Sequence, residues 1–166
     1  EGKIALITGA AGGMGESTAR IFAREGAAAV IVADLLEAEG KAVADAITQS
    51  GTPARFEHLD VTDEDNWKRV VEGIVATEGG LDILVNNAGI SGSGEADLYS
   101  TDGWNRLIGV NATGNFLGVK YAVPAMQARG GGSIVNLSSI SGIIGQAGIH
   151  AGYNASKGAV RLLTKS

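Results

Sequence analysis

Short apolar runs alternate along the chain with stretches in which apolar residues recur at helical spacing. The runs are rich in β-branched residues, as is typical of strands buried on both faces of a parallel sheet. They predict five strands, at residues 3–8, 28–33, 55–59, 81–85 and 133–137, the third being the weakest. Because helical stretches separate the strands, right-handed βαβ crossovers should connect them. The pattern therefore predicts a doubly wound parallel α/β sheet, with ligands bound beyond the carboxyl ends of its strands.

The predicted helices lie between these runs. In the first, which ends at Gly26, the residues at helical spacing are Met14, Thr18, Ile21 and Phe22. The second spans residues 35–50, with an apolar face formed by Ala42, Val43, Ala46 and Ile47. The third begins at Thr62, in a sequence that resembles a capping box, and its inward side chains should be Trp67, Val70, Val71, Ile74 and Val75. A long helical stretch at residues 101–128 contains Trp104, expected to pack against the protein, and Pro124, which should bend or locally open the helix.

Composition narrows the class of protein. Of the 166 residues, 45% are hydrophobic and 19% charged, which suits one globular domain over residues 1–166. A net charge of −5 argues against nucleic acid or an anionic membrane as the main partner. With no Cys and no pair of His at ligand spacing, we expect neither thiolate chemistry nor a metal site. The longest apolar run, residues 27–33, is too short to span a bilayer, and we expect a cytoplasmic protein.

A glycine cluster follows the first strand and leads directly into the first helix. It reads Thr8-Gly9-Ala10-Ala11-Gly12-Gly13-Met14-Gly15. Glycines let the backbone turn sharply, and they let a pyrophosphate approach the helix N-terminus, where free N–H groups and the helix dipole favour an anion. A glycine-rich turn can also be a flexible connection. Its place between a strand and a helix favours a dinucleotide-binding turn, made by Gly9, Gly12, Gly13, Met14 and Gly15.

Asp34 ends the second strand, nineteen residues after the last glycine of this turn. A carboxylate here can accept both hydroxyls of an adenosine ribose, and it would repel the 2′-phosphate of NADP by roughly several kcal/mol. Since Leu35 follows and no Arg or Lys is placed to offset that repulsion, the cofactor-binding pair Asp34 and Leu35 favours NAD over NADP. Alternatively, Asp34 only caps the next helix, although the two roles are compatible. Asp60 and Val61, which follow the third strand, either reach the adenine or cap a loop.

Tyr153 and Lys157 stand four residues apart, so on a helix their side chains share one face. An ammonium beside a phenol stabilises the phenolate, and bringing a Tyr pKa of about 10 near neutrality takes roughly 3–4 kcal/mol. One ammonium at about 4 Å supplies up to about 4 kcal/mol at an effective dielectric constant of 20. The pair is therefore able to transfer protons, although by spacing alone an ordinary surface pair on a helix is the commoner case.

These features occur together with further motifs in one order along the chain. The set consists of the glycine turn, Asp34, Asn86-Asn87-Ala88-Gly89, Asn111, Ser138-Ser139 and the Tyr153/Lys157 pair. Over residues 3–166 the chain closely resembles the short-chain dehydrogenase/reductase family. The spacing Thr-Gly-x-x-x-Gly-x-Gly is similar to that of its short, single-domain members. The resemblance implies a Rossmann-like domain that binds NAD.

The resemblance also implies roles for residues at the matching positions. Tyr153 would be the general acid/base that exchanges a proton with the substrate oxygen, while Lys157 would lower its pKa and hold the nicotinamide ribose hydroxyls. Ser139 would hydrogen-bond the carbonyl or alcohol oxygen, with Ser138 the less favoured candidate. Asn111 would keep Lys157 in a water-linked proton relay. The cofactor would be lined by Asn87, Ala88, Gly89 and Val110.

Two features depart from the family pattern. Ser139 and Tyr153 are fourteen residues apart, one more than the commonest spacing, so the loop at residues 145–152 should carry an extra residue. Family members also continue with a sixth strand, usually a seventh, and a segment that covers the substrate. Because the chain starts at Glu1 and stops at Ser166 within a helical pattern, we expect a fragment, or a chain lacking its C-terminal part, truncated after the helix that carries Tyr153. If the 166 residues were the whole molecule, strand five would be an exposed edge and activity weak or absent.

The sequence thus predicts an oxidoreductase that transfers a hydride between NAD and a secondary alcohol or ketone. A ketoacyl-thioester reductase of the same family is a second hypothesis, ranked lower because no basic residue is placed to hold NADP. A catalytically silent dinucleotide-binding module is a third. Family members are usually dimers or tetramers, so we expect a homodimer or homotetramer. The candidate interface residues, which fit a core face equally well, are Phe116, Val119 and Val123.

The substrate and the two histidines are less well defined by the sequence. The loops at residues 90–98 and 143–152 are small, Gly-rich and poor in charge, which favours a compact neutral or apolar alcohol or ketone. His150 precedes Tyr153 by three residues and is expected either to be a solvated loop residue or to line the substrate mouth. His58 is far from it in sequence, and no role follows for it.

Overall fold

The structure, a computed structural model, describes residues 1–94 and 96–166 and contains one parallel sheet flanked by helices. Its strands are β1 (Ile4–Thr8), β2 (Ala29–Asp34), β3 (Ala54–His58), β4 (Ile83–Asn86) and β5 (Ser133–Asn136). They lie in the order β3-β2-β1-β4-β5, and every described pairing is parallel. The predicted doubly wound parallel α/β fold is confirmed, with each strand within about two residues of its predicted bounds.

The helices connect successive strands and cover both faces of the sheet. They are α1 (Gly13–Arg24), α2 (Glu37–Gln49), α3 (Glu64–Glu78), α4 (Thr101–Ile108), α5 (Gly114–Ala128) and α6 (Ala151–Leu163). A π-helical segment, Gly109–Thr113, joins α4 to α5, and a short 3-10 helix, Ile140–Gly142, precedes α6. No helix in the described part of the chain combines the length and apolar character that a membrane crossing requires.

Two hydrophobic layers fill the spaces between the sheet and its helices. Successive strand residues point to opposite faces, so Leu6 and Ile31 enter one layer while Ile7 and Val30 enter the other. The first layer is completed by α3 and α5, and fully buried Trp67 lies in it as predicted. Burial of each such aliphatic side chain contributes about 1.5–3 kcal/mol, so the sheet is a stable platform for the residues at its carboxyl edge.

The face of α1 that meets the sheet is formed by small residues, contrary to the expected apolar periodicity. Gly15, Ala19 and Ala23 are buried, whereas Met14 is 70% exposed and Ile21 46% exposed. The reason is close approach: a Cβ on Gly15 would stand 2.1 Å from the Gly9 carbonyl oxygen. Large side chains are therefore turned outward, and Met14 is left free beside the glycine turn.

The start of α3 and its outer face also differ from expectation. Asp63, and not Thr62, is the N-cap, because its carboxylate accepts a hydrogen bond from the Asn66 N–H at 3.1 Å. Thr62 instead donates its hydroxyl to the Asp60 carboxylate at 2.7 Å. Val75, expected to face inward, is 40% exposed.

The long helical stretch is interrupted at Asn111 and not at Pro124. Helix α5 continues through Pro124 to Ala128, whereas the change of helical pitch falls in the π segment. Such segments add one residue to a turn and turn backbone groups away from the regular ladder. Trp104, expected to pack against the protein, remains 42% exposed.

The order of the strands determines where a ligand can bind. The chain proceeds outward from β1 to β3 and then returns to the other side of β1 to add β4 and β5. The connections after β1 and β4 therefore diverge, and they leave a crevice at the carboxyl edge of the sheet. Within the described chain, β5 pairs with β4 alone and lies at the edge of the sheet.

Candidate functional site

The glycine turn after β1 leaves the N-terminus of α1 free to bind an anion. Gly9 and Gly13 adopt φ values of 64° and 57°, in the region that favours glycine. Within the described chain, the N–H groups of Gly13, Met14 and Gly15 have no hydrogen-bond acceptor. No described atom comes within 4 Å of the point where a Cβ on Gly12 or Gly13 would sit. Open space beside unpaired donors at a helix N-terminus fits a dinucleotide pyrophosphate.

Asp34 is oriented toward this turn by two backbone hydrogen bonds. Its Oδ2 accepts from the Ala11 N–H at 2.9 Å, and its Oδ1 accepts from the Leu36 N–H at 3.1 Å. The N-cap of α2 is Leu36, which has no side-chain cap, so Asp34 does not cap that helix. Its carboxylate links the end of β2 to the glycine turn, and each oxygen retains a lone pair for a ligand.

A cavity of about 440 Å³ lies between the glycine turn, the ends of β2 and β3, and the segment after β4. We call it the larger cavity. Its walls are formed by Gly9, Gly12, Met14, Asp34, Leu35, Leu59, Asp60, Val61, Asn87, Ala88, Gly89, Ile90 and Val110. Two of these, Leu59 and Ile90, were not expected, although each is next to a residue that was. Gly13 and Gly15 are not among the lining residues; Gly15 packs against the Gly9 carbonyl and the Asn87 side chain.

Asn87 holds the segment after β4 against the glycine turn. Its Nδ2 donates to the carbonyl oxygens of Thr8 and Gly9, both at 2.9 Å. In return, the Thr8 hydroxyl accepts the N–H groups of Asn87 at 3.1 Å and Ala88 at 3.0 Å. The Asn87 side chain thus stabilises the wall of the larger cavity, and its sequence neighbours Ala88 and Gly89 present backbone to the interior.

Tyr153 and Lys157 face a second cavity of about 220 Å³, the smaller cavity. It shares Met14, Asn87, Gly89 and Ile90 with the larger cavity, so the two are adjoining parts of one crevice. Its remaining walls are Ser91, Leu137, Ser138, Tyr153 and Lys157. The spacing-based expectation that the two side chains share one face of a helix therefore agrees with the geometry.

Lys157 is buried although it is a cation. Its Nζ donates to the Leu137 carbonyl oxygen at 2.8 Å and lies 5.9 Å from the centre of the Tyr153 ring. Burial lowers the pKa of Lys157, since the charged form loses its hydration. A buried ammonium with a single carbonyl partner retains two donors that can bind hydroxyl groups.

The two serines after β5 are arranged differently. The Ser138 hydroxyl donates to the Lys157 carbonyl oxygen at 2.7 Å, so its hydrogen is already used. The Ser139 Oγ accepts from the Ser141 N–H at 3.2 Å, and no described acceptor lies within reach of its own hydrogen. Ser138 lines the smaller cavity and Ser139 does not, but Ser139 keeps a free donor for a substrate oxygen.

Asn111 is fully buried in the π segment and connects three parts of the site. Its Oδ1 accepts from the Ile90 N–H at 2.8 Å, and its Nδ2 donates to the Ile90 carbonyl at 2.9 Å and the Ser156 hydroxyl at 3.1 Å. It has no direct hydrogen bond to Lys157 within the described chain. The two side chains converge on Gly89, where a Cβ would lie 3.2 Å from Asn111 Oδ1 and 3.5 Å from Lys157 Nζ. Asn111 therefore fixes α6 and the cavity wall relative to each other.

His150 differs most from its expected place. It is neither solvated nor at the substrate mouth, because none of its surface is exposed. Its Nδ1 accepts from the Gly152 N–H, and the residue is the N-cap of α6. One signal of this arrangement is visible in the sequence: the histidine lies immediately before the helix that carries Tyr153.

Comparison with known proteins agrees with this geometry. A family model described as short chain dehydrogenase matches residues 3–166. The chain is 49% identical to a trans-4-hydroxycyclohexanecarboxylate dehydrogenase from Sinomonas cyclohexanicum, over 99% of this chain and 64% of that protein. It is 47% identical to a 3-alpha-(or 20-beta)-hydroxysteroid dehydrogenase from Mycobacterium bovis, covering 99% and 62%, respectively. A cyclopentanol dehydrogenase from Comamonas sp. is 43% identical, covering 99% and 65%. The chain thus spans less than two thirds of the length of these curated relatives.

Proposed function

Because this chain belongs to the short-chain dehydrogenase family, we propose that it is the dinucleotide-binding and catalytic part of an oxidoreductase that interconverts a secondary alcohol and a ketone with NAD. One observation carries the proposal. Tyr153 and Lys157 line a cavity that shares four of its walls with the crevice beside the glycine turn. This arrangement supports a proton-transfer role for the pair beside the reactive ring of a bound dinucleotide.

The residues of the larger cavity would hold the cofactor, which when bound accepts a hydride from the alcohol carbon or returns one to the ketone. The free N–H groups of Gly13, Met14 and Gly15 would bind the pyrophosphate. Asp34 would accept the adenosine ribose hydroxyls, and its charge supports NAD over NADP. Asp60, Val61 and Val110 would line the base and the adjoining ribose.

The chain's own residues would bind the substrate oxygen and move its proton. In alcohol oxidation, Tyr153 as phenolate would take the hydroxyl proton onto its Oη as the carbon loses a hydride, and the carbonyl double bond forms from the electrons of the broken O–H bond. Ser139, with its unused donor, would hydrogen-bond the same oxygen. Lys157 would favour the phenolate by its charge and would donate to the nicotinamide ribose. In the reverse direction, Tyr153 would return the proton to the oxygen.

A ring-bearing secondary alcohol is the substrate class that we favour. The relatives' names include a hydroxycyclohexanecarboxylate, a hydroxysteroid and cyclopentanol. In this chain, the segment that follows Ser139 exposes three large apolar side chains, which are Ile140, Ile143 and Ile144. Apolar side chains next to a hydrogen-bond donor suit a hydrocarbon ring that carries one hydroxyl group.

The proposal is tested by turnover on alcohols in the protein at its natural full length. Cyclopentanol, cyclohexanol and an acyclic secondary alcohol should be offered with NAD, and formation of the reduced cofactor followed by absorbance. We expect the cyclic alcohols to be oxidised, and Tyr153→Phe to lower kcat by roughly 10²–10⁴-fold because the proton acceptor is lost. NAD affinity, measured by calorimetry, should be unchanged, since the ring remains.

Turnover retained in Tyr153→Phe would exclude this role for the phenol. NAD binding with no turnover on any alcohol would instead support a silent dinucleotide-binding module. The two results are distinguishable because calorimetry reports binding without catalysis.

We further propose that the protein is a homodimer or homotetramer that associates through α5 and α6. Phe116 is 50% exposed, and it lines a shallow groove of about 280 Å³ between these helices. The other lining residues are Ala112, Thr113, Ala159 and Leu163. A second copy of the same helix pair could bury this apolar strip by two-fold symmetry.

A further inference from the structure

The hydrogen bonds of the His150 ring specify its protonation. Its Nδ1 lies 3.0 Å from the Gly152 nitrogen, and its Nε2 lies 3.0 Å from the Ser100 carbonyl oxygen. A backbone N–H can only donate and a carbonyl can only accept, so Nδ1 must be bare and Nε2 must carry the hydrogen. The ring is therefore a neutral imidazole with both nitrogens satisfied.

Three glycines make the space that the ring occupies. A Cβ on Gly103 would stand 2.9 Å from His150 Nε2, and one on Gly92 would stand 2.9 Å from His150 Cβ. A Cβ on Gly152 would stand 3.2 Å from His150 Nδ1. Distances below about 3.4 Å to a Cβ are tighter than ordinary packing, so a methyl group at Gly103 or Gly152 would press on the imidazole, and one at Gly92 on the Cβ and backbone nitrogen of His150.

The imidazole connects the first turn of α6 to the segment that follows β4. Ser100, whose carbonyl it bonds, is also the N-cap of α4, accepting the Gly103 N–H at 3.1 Å. The backbone adds two parallel connections, from the His150 N–H to the Gly92 carbonyl and from the Ala151 N–H to the Leu98 carbonyl, each at 3.1 Å. His150 also accepts the Tyr153 N–H on its own carbonyl at 2.9 Å. The ring thus joins the start of α6, which carries Tyr153, to the segment between β4 and α4.

We propose that His150 is a positioning residue that sets the place of the Tyr153 hydroxyl; the inference rests on the function proposed above. Tyr153 lies in the first turn of α6, where its N–H donates to the His150 carbonyl, whereas Lys157 lies one turn further and is held independently by the Leu137 carbonyl. Loss of the imidazole bridge leaves the first turn held to the segment after β4 by the two backbone bonds alone, so it can shift while the second turn stays anchored. A displacement of about 1 Å at a reacting group can cost roughly 10²-fold in rate.

Two substitutions separate this role from that of a simple helix cap. Asn can accept the Gly152 N–H as the imidazole Nδ1 does, but its shorter side chain falls short of the Ser100 carbonyl. His150→Ala removes both bonds. We expect His150→Asn to recover most of the melting temperature that His150→Ala loses, because Asn is a good N-cap. Its kcat should nevertheless remain roughly tenfold or more below that of the parent protein, with the Kd for NAD unchanged.

A matched control and an independent variant complete the test. His58→Asn makes the same chemical change at the exposed second histidine and should leave kcat unaltered. Gly103→Ala places a methyl group 2.9 Å from Nε2 and 2.7 Å from the Ser100 hydroxyl oxygen and should lower kcat, whereas Gly73→Ala, with no described atom outside its own helix backbone within 4 Å, should not. Nitrogen NMR of the two histidines should show His150 neutral and protonated at Nε2.

Each outcome bears on the inference. If Asn restores kcat together with the melting temperature, or if NMR finds Nδ1 protonated, the positioning role is wrong. If His150→Asn does not fold, normal kcat in Gly103→Ala overturns it equally. A parent protein that oxidises no alcohol contradicts the proposed function instead, and the two failures are therefore distinct.

Discussion

Asp34 has more than one use in the structure. Its two oxygens accept hydrogen bonds from Ala11 and Leu36, so the carboxylate shapes the glycine turn and also faces the larger cavity. Removing it should therefore have two effects. The loss of turn geometry would weaken the binding of any dinucleotide. The loss of charge would change only the ratio of the affinities for NAD and NADP.

These two effects predict the result of Asp34→Ala and Asp34→Asn. Asp34→Ala should weaken NAD binding by roughly ten- to hundredfold, as expected when a hydrogen bond to a charged group worth about 1.5–3 kcal/mol is lost. Both variants should narrow the preference for NAD over NADP, because the carboxylate no longer repels the 2′-phosphate. Asp34→Asn should retain more NAD affinity, since an amide oxygen can still accept the Ala11 N–H. The measurement is the Kd of each cofactor; an unaltered ratio in both variants would mean that Asp34 serves the turn alone.

At the scale of single residues, the order of residues along the chain predicted which of them line the two cavities better than it predicted which of them are buried. Asp34, Asn87, Tyr153 and Lys157 come directly after strands or share one helical turn, and the parallel topology brings such positions to one edge. The burial of His150 was not predictable in this way. Its partner carbonyl, on Ser100, is fifty residues away in sequence, and the space for its ring depends on glycines in three separate segments.

Among the elements, the strands were predicted closely and the helices less so. A strand buried on both faces is apolar throughout, which any reading of the sequence detects. The packing face of α1 was missed because close approach to β1 selects Gly15 and Ala19, which carry little hydrophobic signal. The π segment was missed because its cause is tertiary. Asn111 is held by Ile90 and Ser156, from two other parts of the chain.

Asp82 joins elements at the amino-terminal edge of the sheet, opposite the crevice. It is almost fully buried, accepting from the Ile4 N–H at 2.9 Å, from Lys3 at 3.3 Å and from Arg129 at 3.2 Å. Burial on its own raises the pKa of the Asp82 carboxyl, but these three donors and the Arg129 charge outweigh it, so the pKa lies below the ordinary value of 3.8. A lowered pKa in the folded state means that the carboxylate stabilises the fold above the unfolded-state pKa. That contribution is lost as the pH falls through the folded-state pKa.

The pH dependence of Asp82→Asn follows from this sign. Near pH 7 the substitution should lower the free energy of unfolding by about 1–3 kcal/mol, because charged hydrogen bonds are replaced by neutral ones. The difference between the two proteins should shrink as the pH falls below about 4, since the parent carboxyl then becomes protonated as well. Urea unfolding of both proteins at several pH values measures this difference in the free energy of unfolding. A difference that stays constant down to pH 2 would contradict the assignment.

At the scale of the whole molecule, the exposed strip on α5 and α6 bears on assembly. Phe116→Glu would place a charge in the centre of the proposed interface, where removal of a buried aromatic anchor costs about 2–4 kcal/mol. We expect Phe116→Glu to sediment as a monomer at concentrations where the parent protein sediments as a dimer or tetramer. Ile21→Glu, at a comparably exposed residue on α1, is the control and should not alter the mass. A parent protein that sediments as a monomer would remove the basis of the proposal.

The glycines around His150 impose a direction on evolutionary change. Loss of the histidine needs one substitution, and it abolishes the imidazole's contacts with a methyl group added at Gly103 or Gly152, but not the contact of Gly92 with the backbone of residue 150. Alanine is favoured over glycine inside a helix, so at Gly103 such a change would then require only that the Ser100 hydroxyl, 2.7 Å from the added Cβ, turn away. After that change, histidine could not be restored at position 150 unless the alanine at position 103 first reverted to glycine. Within the short-chain dehydrogenase family, we therefore expect the buried histidine to be lost readily and regained rarely.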